Sequence, residues 1–406
     1  MTTKALSLGT HRTRALEETR ARIWPHLRTM GITRVGNITG LDNIGIAVAV
    51  ACRPNSRALS VAQGKGLSFL AAEVSAAMES IESYHAEHIT RPLLLATWEQ
   101  IRVSHPAIDP ALLPKSAVGR FRKDLKLHWV EGFDLLQNRT CWVPYELVHT
   151  DFALPLPSDS GCFPLSSNGL ASGNHPYEAI SHGLCELIER DAEALFACEA
   201  AHAQRRRVVT HGSIDAPECH DLLARFERAG VQVGIWDITS NLEVAAFRVV
   251  IADKKLDPAR PLRPHVGLGC HPSRAVALTR ALTEAAQARL TVISSSRDDL
   301  QRERYADARD LDRLKSLRAQ EAAGPGVVAF GSIPDFASND VAEDLAWLRE
   351  QLARCRFQHA VVVDLTKPEF DIPVVRVIIP GLETSREVPG WVPGKRALAA
   401  TQGVRQ

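Results

Sequence analysis

The chain has 406 residues, room for two or three ordinary domains or one large one, with 45% hydrophobic and 23% charged residues, as in soluble globular proteins. A net charge of +1 gives no reason to expect nucleic acid as a partner, and the one basic run, Arg205 to Arg207, reads as a solvated turn. The apolar run from Ile44 to Cys52 is too short to span a bilayer, and the N-terminus lacks a secretory apolar segment, so no membrane contact and a cytoplasmic location are expected. Eight cysteines without a Cys-x-x-Cys pair argue against structural zinc and a disulfide framework.

In chain order, a short helix is expected from about Leu16 to Met30, ended by Gly31. GITRVGNITGLDNIGIAVAVACRP then reads as two strands joined by a Gly/Asp/Asn turn. SRALSVAQGKGLS reads as a glycine-bearing loop leading into a helix from about Phe69 to Glu87. That helix sets Glu79 and Glu82 on one face, and Ala71, Ala72, Ala76 and Ala77 predict close packing on its flank. The stretch 91–160 is less regular, with Trp129, Trp142 and Tyr145 as its anchors to the core.

From Ser166 to Glu193 a glycine-rich polar loop feeds a long amphipathic helix. Asn174 suits the N-cap, Pro176 the first turn, and Glu178 the positive end of the helix dipole. Ile180, Leu184, Leu187 and Leu195 recur at helical spacing and should face a core. On another face stand His182, Glu186, Glu189 and Glu193, with Arg190 beside them. Carboxylates that close repel unless they share a cation, and Mg²⁺ prefers carboxylate and phosphate oxygens. The face therefore reads either as a metal–nucleotide site or as a solvated charged surface.

VQVGIWDIT and EVAAFRVVIAD alternate as strands, and GLGCHPSRAVALTRALTEAAQARLTVISSSRDDL forms a third loop-then-helix unit. Arg280, Glu284 and Gln287 share one face of its helix, and Arg289 follows. Cys270 has no neighbouring His–Asp pair in the sequence to mark it as a nucleophile. A charged helix over 338–358 precedes two apolar β runs, AVVVDLT and IPVVRVIIPGLE. From Thr384 the composition turns polar, which predicts a surface tail over 384–406 behind one large domain over 1–383.

Gly64-Lys65-Gly66 is not a Walker loop, because Leu59 stands where the first glycine belongs and Gly66 where the Ser or Thr belongs. Phosphoryl transfer needs metal ions to neutralise phosphates and cations to hold developing charge. Two Glu-x-x-Glu pairs would supply the first need; Lys65, Arg190 and Arg289 would supply the second. Lys65 reads equally as a turn lysine.

SVAQGKGLSFLAAEVSAAMESIESYHAE, SNGLASGNHPYEAISHGLCELIERDAE and RALTEAAQARLTVISSSRDD resemble the three signature blocks of the YcaO family. The similarity extends to GTHRTRALEET near the start and VVRVIIPGLE near the end. The resemblance implies an α/β fold: a single YcaO-type domain, helices packed on a β-sheet, with Mg–ATP held between two Glu-x-x-Glu helices. It implies an enzyme that uses ATP and Mg²⁺ to phosphorylate the oxygen of a peptide backbone amide. An internal Cys, Ser or Thr then gives an azoline, whereas external sulfide gives a thioamide. In that pattern Glu79, Glu82, Glu186 and Glu189 hold the metal. Arg190, Asn174, Glu178, Gln287 and Arg289 match nucleotide-binding positions, joined near the N-terminus by Arg12 and Thr19. His182 and Glu193 have no motif role.

Two departures bear on the product. The chain starts almost directly at the family domain, which leaves no room for a leader-binding winged helix or an E1-like domain, and it ends KRALAATQGVRQ rather than in the proline-rich tail of many azoline-forming members. Recognition of the peptide or protein substrate is then expected from a separate partner, and a homodimer stays open. WVPYELVHTDF ahead of SNGLASGN resembles members that work with a TfuA-like partner, which favours thioamide over azoline formation. Two further classes remain: a non-catalytic nucleotide-binding accessory to a sulfur-transfer enzyme, such as one modifying a ribosomal protein, and a metal–carboxylate hydrolase.

Overall fold

The structure, a computed structural model, describes residues 2–6, 8–117, 119–157, 159–258, 261–299, 310–386, 388 and 390–402. Helix α1 (Leu16–Ile23) leads to an antiparallel sheet of β1 (Arg34–Asn37), β2 (Ala47–Cys52) and β3 (Val61–Gly66), and then to α2 (Phe69–Glu87). The helix expected to reach Met30 stops at Ile23 and tightens into a 3-10 turn over Trp24–His26. Pro25 has no N–H to continue the α-helical ladder. The chain then turns at Gly31, whose φ of 75° is left-handed.

A larger antiparallel sheet follows, built from β4 (Leu93–Ala96), then after α3 (Trp98–Ser104) β5 (Leu127–Asp134), β6 (Arg139–Pro144) and β7 (Leu170–Ser172). Trp129 on β5 is fully buried, with its indole N–H donating to Ala96 O at 3.0 Å, while Trp142 and Tyr145 pack half-buried on the same core. Helix α4 (Pro176–Cys198) packs against β7 of this sheet. Its cap is His175, one residue after the expected Asn174: the His175 Nδ1 accepts from Tyr177 N, and Pro176 takes the first helical position.

After α5 (Ala201–Arg205) and α6 (Pro217–Arg228), a third antiparallel sheet has the order β10–β9–β8, with β8 (Val231–Asp237), β9 (Ala246–Asp253) and β10 (His265–Cys270). It is covered by α7 (Arg274–Ser294). Beyond α8 (Leu311–Gln320) and α9 (Val341–Arg354), β11 (Val361–Asp364) and β12 (Val374–Ile378) complete the large sheet, and α10 (Lys395–Thr401) comes last. Among the described residues no helix is long and apolar enough to cross a membrane.

All three segments expected as glycine loops contain strands, namely β3, β7 and β10. The glycines are there because helix and strand touch. A Cβ on Gly64 would fall inside the van der Waals radii of Ala76 N and Ala72 O on α2, and one on Gly267 would do the same to Ala281 O and Ala285 N on α7. The alanine flank of α2 lies at this contact, as its small residues predicted. The segment expected as a surface tail behaves differently where it is described. Ala397 of α10 is fully buried, and Arg396 pairs with the buried Asp191 of α4 at 2.8 Å. Residues 387, 389 and 403–406 of that expected tail lie outside the described residues.

Candidate functional site

The three strand–helix units converge on a cleft of about 1340 Å³, lined on one side by Leu8, Thr10, Arg12, Leu16 and Thr19 of the N-terminal segment. Glu79 and Glu82 enter it from α2, one turn apart; Glu186 and Glu189 enter from α4 at the same spacing. Lys65 on β3, Arg190 on α4, Gln287 on α7, Asn174 ahead of α4, and Arg12 and Thr19 from the N-terminal segment also line it. The sheet below anchors the carboxylates. Ser172 Oγ on β7 donates to Glu82 Oε1 at 2.6 Å, and Gly169 N donates to Glu186 Oε2 at 3.0 Å. Arg190 Nη2 stands 3.5 Å from Glu189 and 3.9 Å from Glu186.

Two residues expected as nucleotide contacts, Arg289 and Glu178, do not line the cleft. Arg289 is buried behind α7, where its Nε meets Asp42 and its Nη1 meets Asp253, each at 2.9 Å. Residues two apart on a helix point about 200° away from each other, so Gln287 in the cleft sends Arg289 to the far side. Glu178 is buried beneath the N-terminal segment. It accepts from Thr13 N at 2.5 Å, Thr13 Oγ1 at 2.6 Å and Asn174 N at 2.9 Å, with Arg12 Nε 3.9 Å away. It holds cleft residues without lining the cleft itself.

The cleft also contains Glu284, Arg280 and His182, to which the sequence assigned no role. Glu284 meets Lys65 Nζ at 2.5 Å, and Arg280 Nη2 donates to His182 Nε2 at 2.9 Å. Arg280, Glu284 and Gln287 repeat the four-then-three spacing of His182, Glu186 and Glu189, and that repeat was the available signal. Glu193, on the same helical stripe, turns away to Arg248 at 3.3 Å.

Burial sets the protonation of this cluster. It pushes Glu79 up to about 7, with Glu186 and Glu284 adding to the rise, and Glu82 up to about 8, with Glu79 and Glu186 adding. Glu189 rises to about 7 by burial against the pull of Arg190, and Glu186 rises for the same reasons. Burial also acts on Glu284, but Lys65 and Arg190 outweigh it and hold that carboxyl below its ordinary range. Burial holds all four carboxyls above their ordinary range even with Arg190 beside two of them, and their donor atoms are all oxygen. That set fits a hard divalent ion such as Mg²⁺ beside phosphates.

Comparison with known proteins agrees with this geometry. The model of the YcaO cyclodehydratase family, described as ATP- and Mg²⁺-binding, matches residues 63–383. An uncharacterized protein in the tfuA 3′ region of Rhizobium leguminosarum bv. trifolii is 37% identical over 395 residues, covering 95% of this chain and 92% of its own. An uncharacterized protein of Methanothermobacter thermautotrophicus is 35% identical over 366 residues, covering 88% of this chain and 91% of its own. The fold is that of the YcaO from Methanopyrus kandleri bound with AMPPCP and Mg²⁺, with a TM-score of 0.76 at 23% identity over 98% of this chain and 100% of that one. A heterocyclase in complex with substrate and cofactor gives 0.75 at 23% identity over 94% of this chain, which spans 53% of the heterocyclase. The chain belongs to the YcaO family.

Proposed function

We propose that this chain uses ATP and Mg²⁺ to phosphorylate the oxygen of a peptide backbone amide, and that it does so to exchange that oxygen for sulfur. The observation that carries the first part is the meeting of two Glu-x-x-Glu pairs in one cleft, with carboxyls that burial holds above their ordinary range. Glu79, Glu82, Glu186 and Glu189 would hold Mg²⁺, which neutralises phosphate oxygens and holds the nucleotide in line. Arg190 keeps Glu186 and Glu189 oriented, while Lys65 and Arg280 place positive charge where phosphate would lie. Arg12, Thr19, Asn174 and Gln287 supply hydrogen-bonding groups at the same walls. The unit that does this is taken as 1–383.

An amide carbonyl is a poor electrophile and oxide a poor leaving group, which is why the exchange consumes ATP. Hydrosulfide adds to the carbonyl carbon, and the oxygen takes the γ-phosphoryl group. The C–O bond then breaks with release of phosphate, leaving C=S, ADP and an intact peptide chain; the hydrosulfide proton leaves with the phosphate. The relative in the tfuA 3′ region supports this product and a TfuA-like partner. Azoline formation by an internal Cys, Ser or Thr is the second reading, supported by the cyclodehydratase name of the family model. The test is intact-mass analysis of a candidate peptide with ATP, Mg²⁺ and sulfide, with and without the TfuA-like protein. Exchange of one oxygen for sulfur is expected. Loss of water without sulfide would replace this reading by azoline formation, and ATP hydrolysis with no modified peptide would favour an accessory role.

A further inference from the structure

Behind the cleft lies a second, much smaller chamber of about 30 Å³, between α4, the start of α7 and the N-terminal segment. It shares Thr10, Arg12, His182 and Arg280 with the cleft as a common wall. Its size suits two waters, or one atom as large as chloride or sulfur.

The chamber is lined mainly by donors. Ser181 Oγ and His182 Nδ1 are buried without a hydrogen-bond partner, as is Arg280 Nε. Because Arg280 donates to His182 Nε2, the neutral ring carries its proton on Nδ1. Burial and the nearby Arg280 and Arg12 keep that ring neutral. His271 accepts from Ser273 N on Nδ1, which puts its proton on Nε2. Cys185 and Cys270 add two thiols, and burial holds Cys270 protonated.

The acceptors nearby are occupied. Asp344 takes Lys4 at 2.7 Å, Ser338 Oγ at 2.8 Å and His11 at 3.2 Å, and Glu178 takes Thr13 and Asn174. His11, His271 and Asp344 have the chemistry of metal ligands, yet Lys4 already sits on the carboxylate and Arg12 and Arg280 stand alongside, which disfavours a cation. Arg12 and Arg280 bring positive charge to the chamber wall, with Glu178 beside Arg12 and with Asp344 already paired to Lys4.

We propose that this chamber binds one small monovalent anion of halide size, and that during turnover its occupant is hydrosulfide held one wall away from the nucleotide. The anion site stands on the chamber itself; the identity of its occupant rests on the thioamide reading above. Hydrosulfide has the charge, the size and the need for several weak donors that this wall provides, while phosphate or a carboxylate is too large.

Two measurements test this. Crystals of the full chain soaked in sodium bromide should show an anomalous peak in the chamber; well-diffracting crystals without one overturn the site. In the peptide assay, bromide should compete with sulfide and leave the KM for ATP unchanged. Ser181→Ala should raise the KM for sulfide about tenfold, the loss of one hydrogen bond to a charged ligand, while kcat at saturating sulfide is preserved. A bromide peak with an unmoved sulfide KM would overturn the hydrosulfide assignment. A bromide peak with no sulfur entering any peptide would overturn the thioamide reading and its occupant together, while supporting the small-anion site.

Discussion

The protonation of the glutamate cluster makes nucleotide binding a function of pH. Glu79 and Glu189 ionise near 7 and Glu82 near 8, facing Glu186 and Glu284 as well as the cations Lys65, Arg190, Arg280 and Arg297. A metal ion needs these carboxyls ionised. At pH 6 binding should therefore release two to three protons, and at pH 8.5 fewer than about half of one, with the carboxyls acting as a set. The logarithm of the binding constant changes with pH by the number of protons released, so Mg–ATP affinity should rise roughly a hundredfold from pH 6 to pH 7 and level off above pH 8.5. The sign for stability is opposite. The unfolded chain ionises these groups in the usual carboxylate range, so the folded chain holds more protons up to about pH 8. Metal-free stability should then fall as pH climbs through that window, and Mg–ATP should restore it. Calorimetry in two buffers of different ionisation enthalpy, corrected for protein-free Mg–ATP, measures the protons directly. Affinity that stays flat from pH 6 to pH 8.5, with no proton release at pH 6, would refute the placement of metal among these carboxyls.

The folded double variant Glu186→Gln, Glu189→Gln should lose Mg–ATP affinity by at least about a hundredfold, yet melt at a higher temperature than the parent at pH 8.5 without metal, because two repelling charges are gone. Arg289→Ala should lower unfolding free energy by about 3 kcal/mol in a denaturant titration, since it strands Asp42 and Asp253, while Mg–ATP affinity of the folded protein stays within about twofold. Gly64→Ala should destabilise by about 3 kcal/mol or prevent folding, because the new methyl meets α2 backbone rather than a side chain that can swing away.

What could be read from the sequence was whatever depends on helical spacing. The bounds of α2, Phe69–Glu87, agree with the expectation, helped by Ser68, whose Oγ accepts from Ala71 N as an N-cap should. The Glu79–Glu82 and Glu186–Glu189 pairs could be placed on two helix faces, because three residues is close to one turn. That the faces oppose each other came from the family resemblance, not from spacing. Strands β3 and β10 were hidden because close helix–strand contact puts Gly64, Gly66, Gly267 and Gly269 at the helix-facing positions where apolar side chains would stand, which removes the alternation that marks a strand. The docked α10 was hidden for another reason. Part of its hold on the protein is Arg396 on Asp191, a pairing about two hundred residues apart that composition reads only as polarity.

The least legible part is the N-terminal segment, and its role follows from what holds it. Arg12 and Thr19 reach the cleft because Glu178, at the start of α4, gathers Thr13 N, Thr13 Oγ1 and Asn174 N on one carboxylate. Thr19 Oγ1 then donates to Asn174 Oδ1 at 3.1 Å, and Arg22 Nη1 donates to Asn174 O at 3.2 Å. The same carboxylate thus ties the wall of the cleft to the loop that opens the central helix, and it occupies the position where a motif match suggests direct contact with nucleotide. A motif residue can act by positioning its neighbours: three of the acceptor sites of this carboxylate are taken by Thr13 and Asn174, so removing it would displace Arg12 and Asn174 together rather than delete one contact. The small anion chamber borders this same junction, with Arg12 in both walls. The order of residues 10–19 is therefore coupled to both cavities through one buried carboxylate.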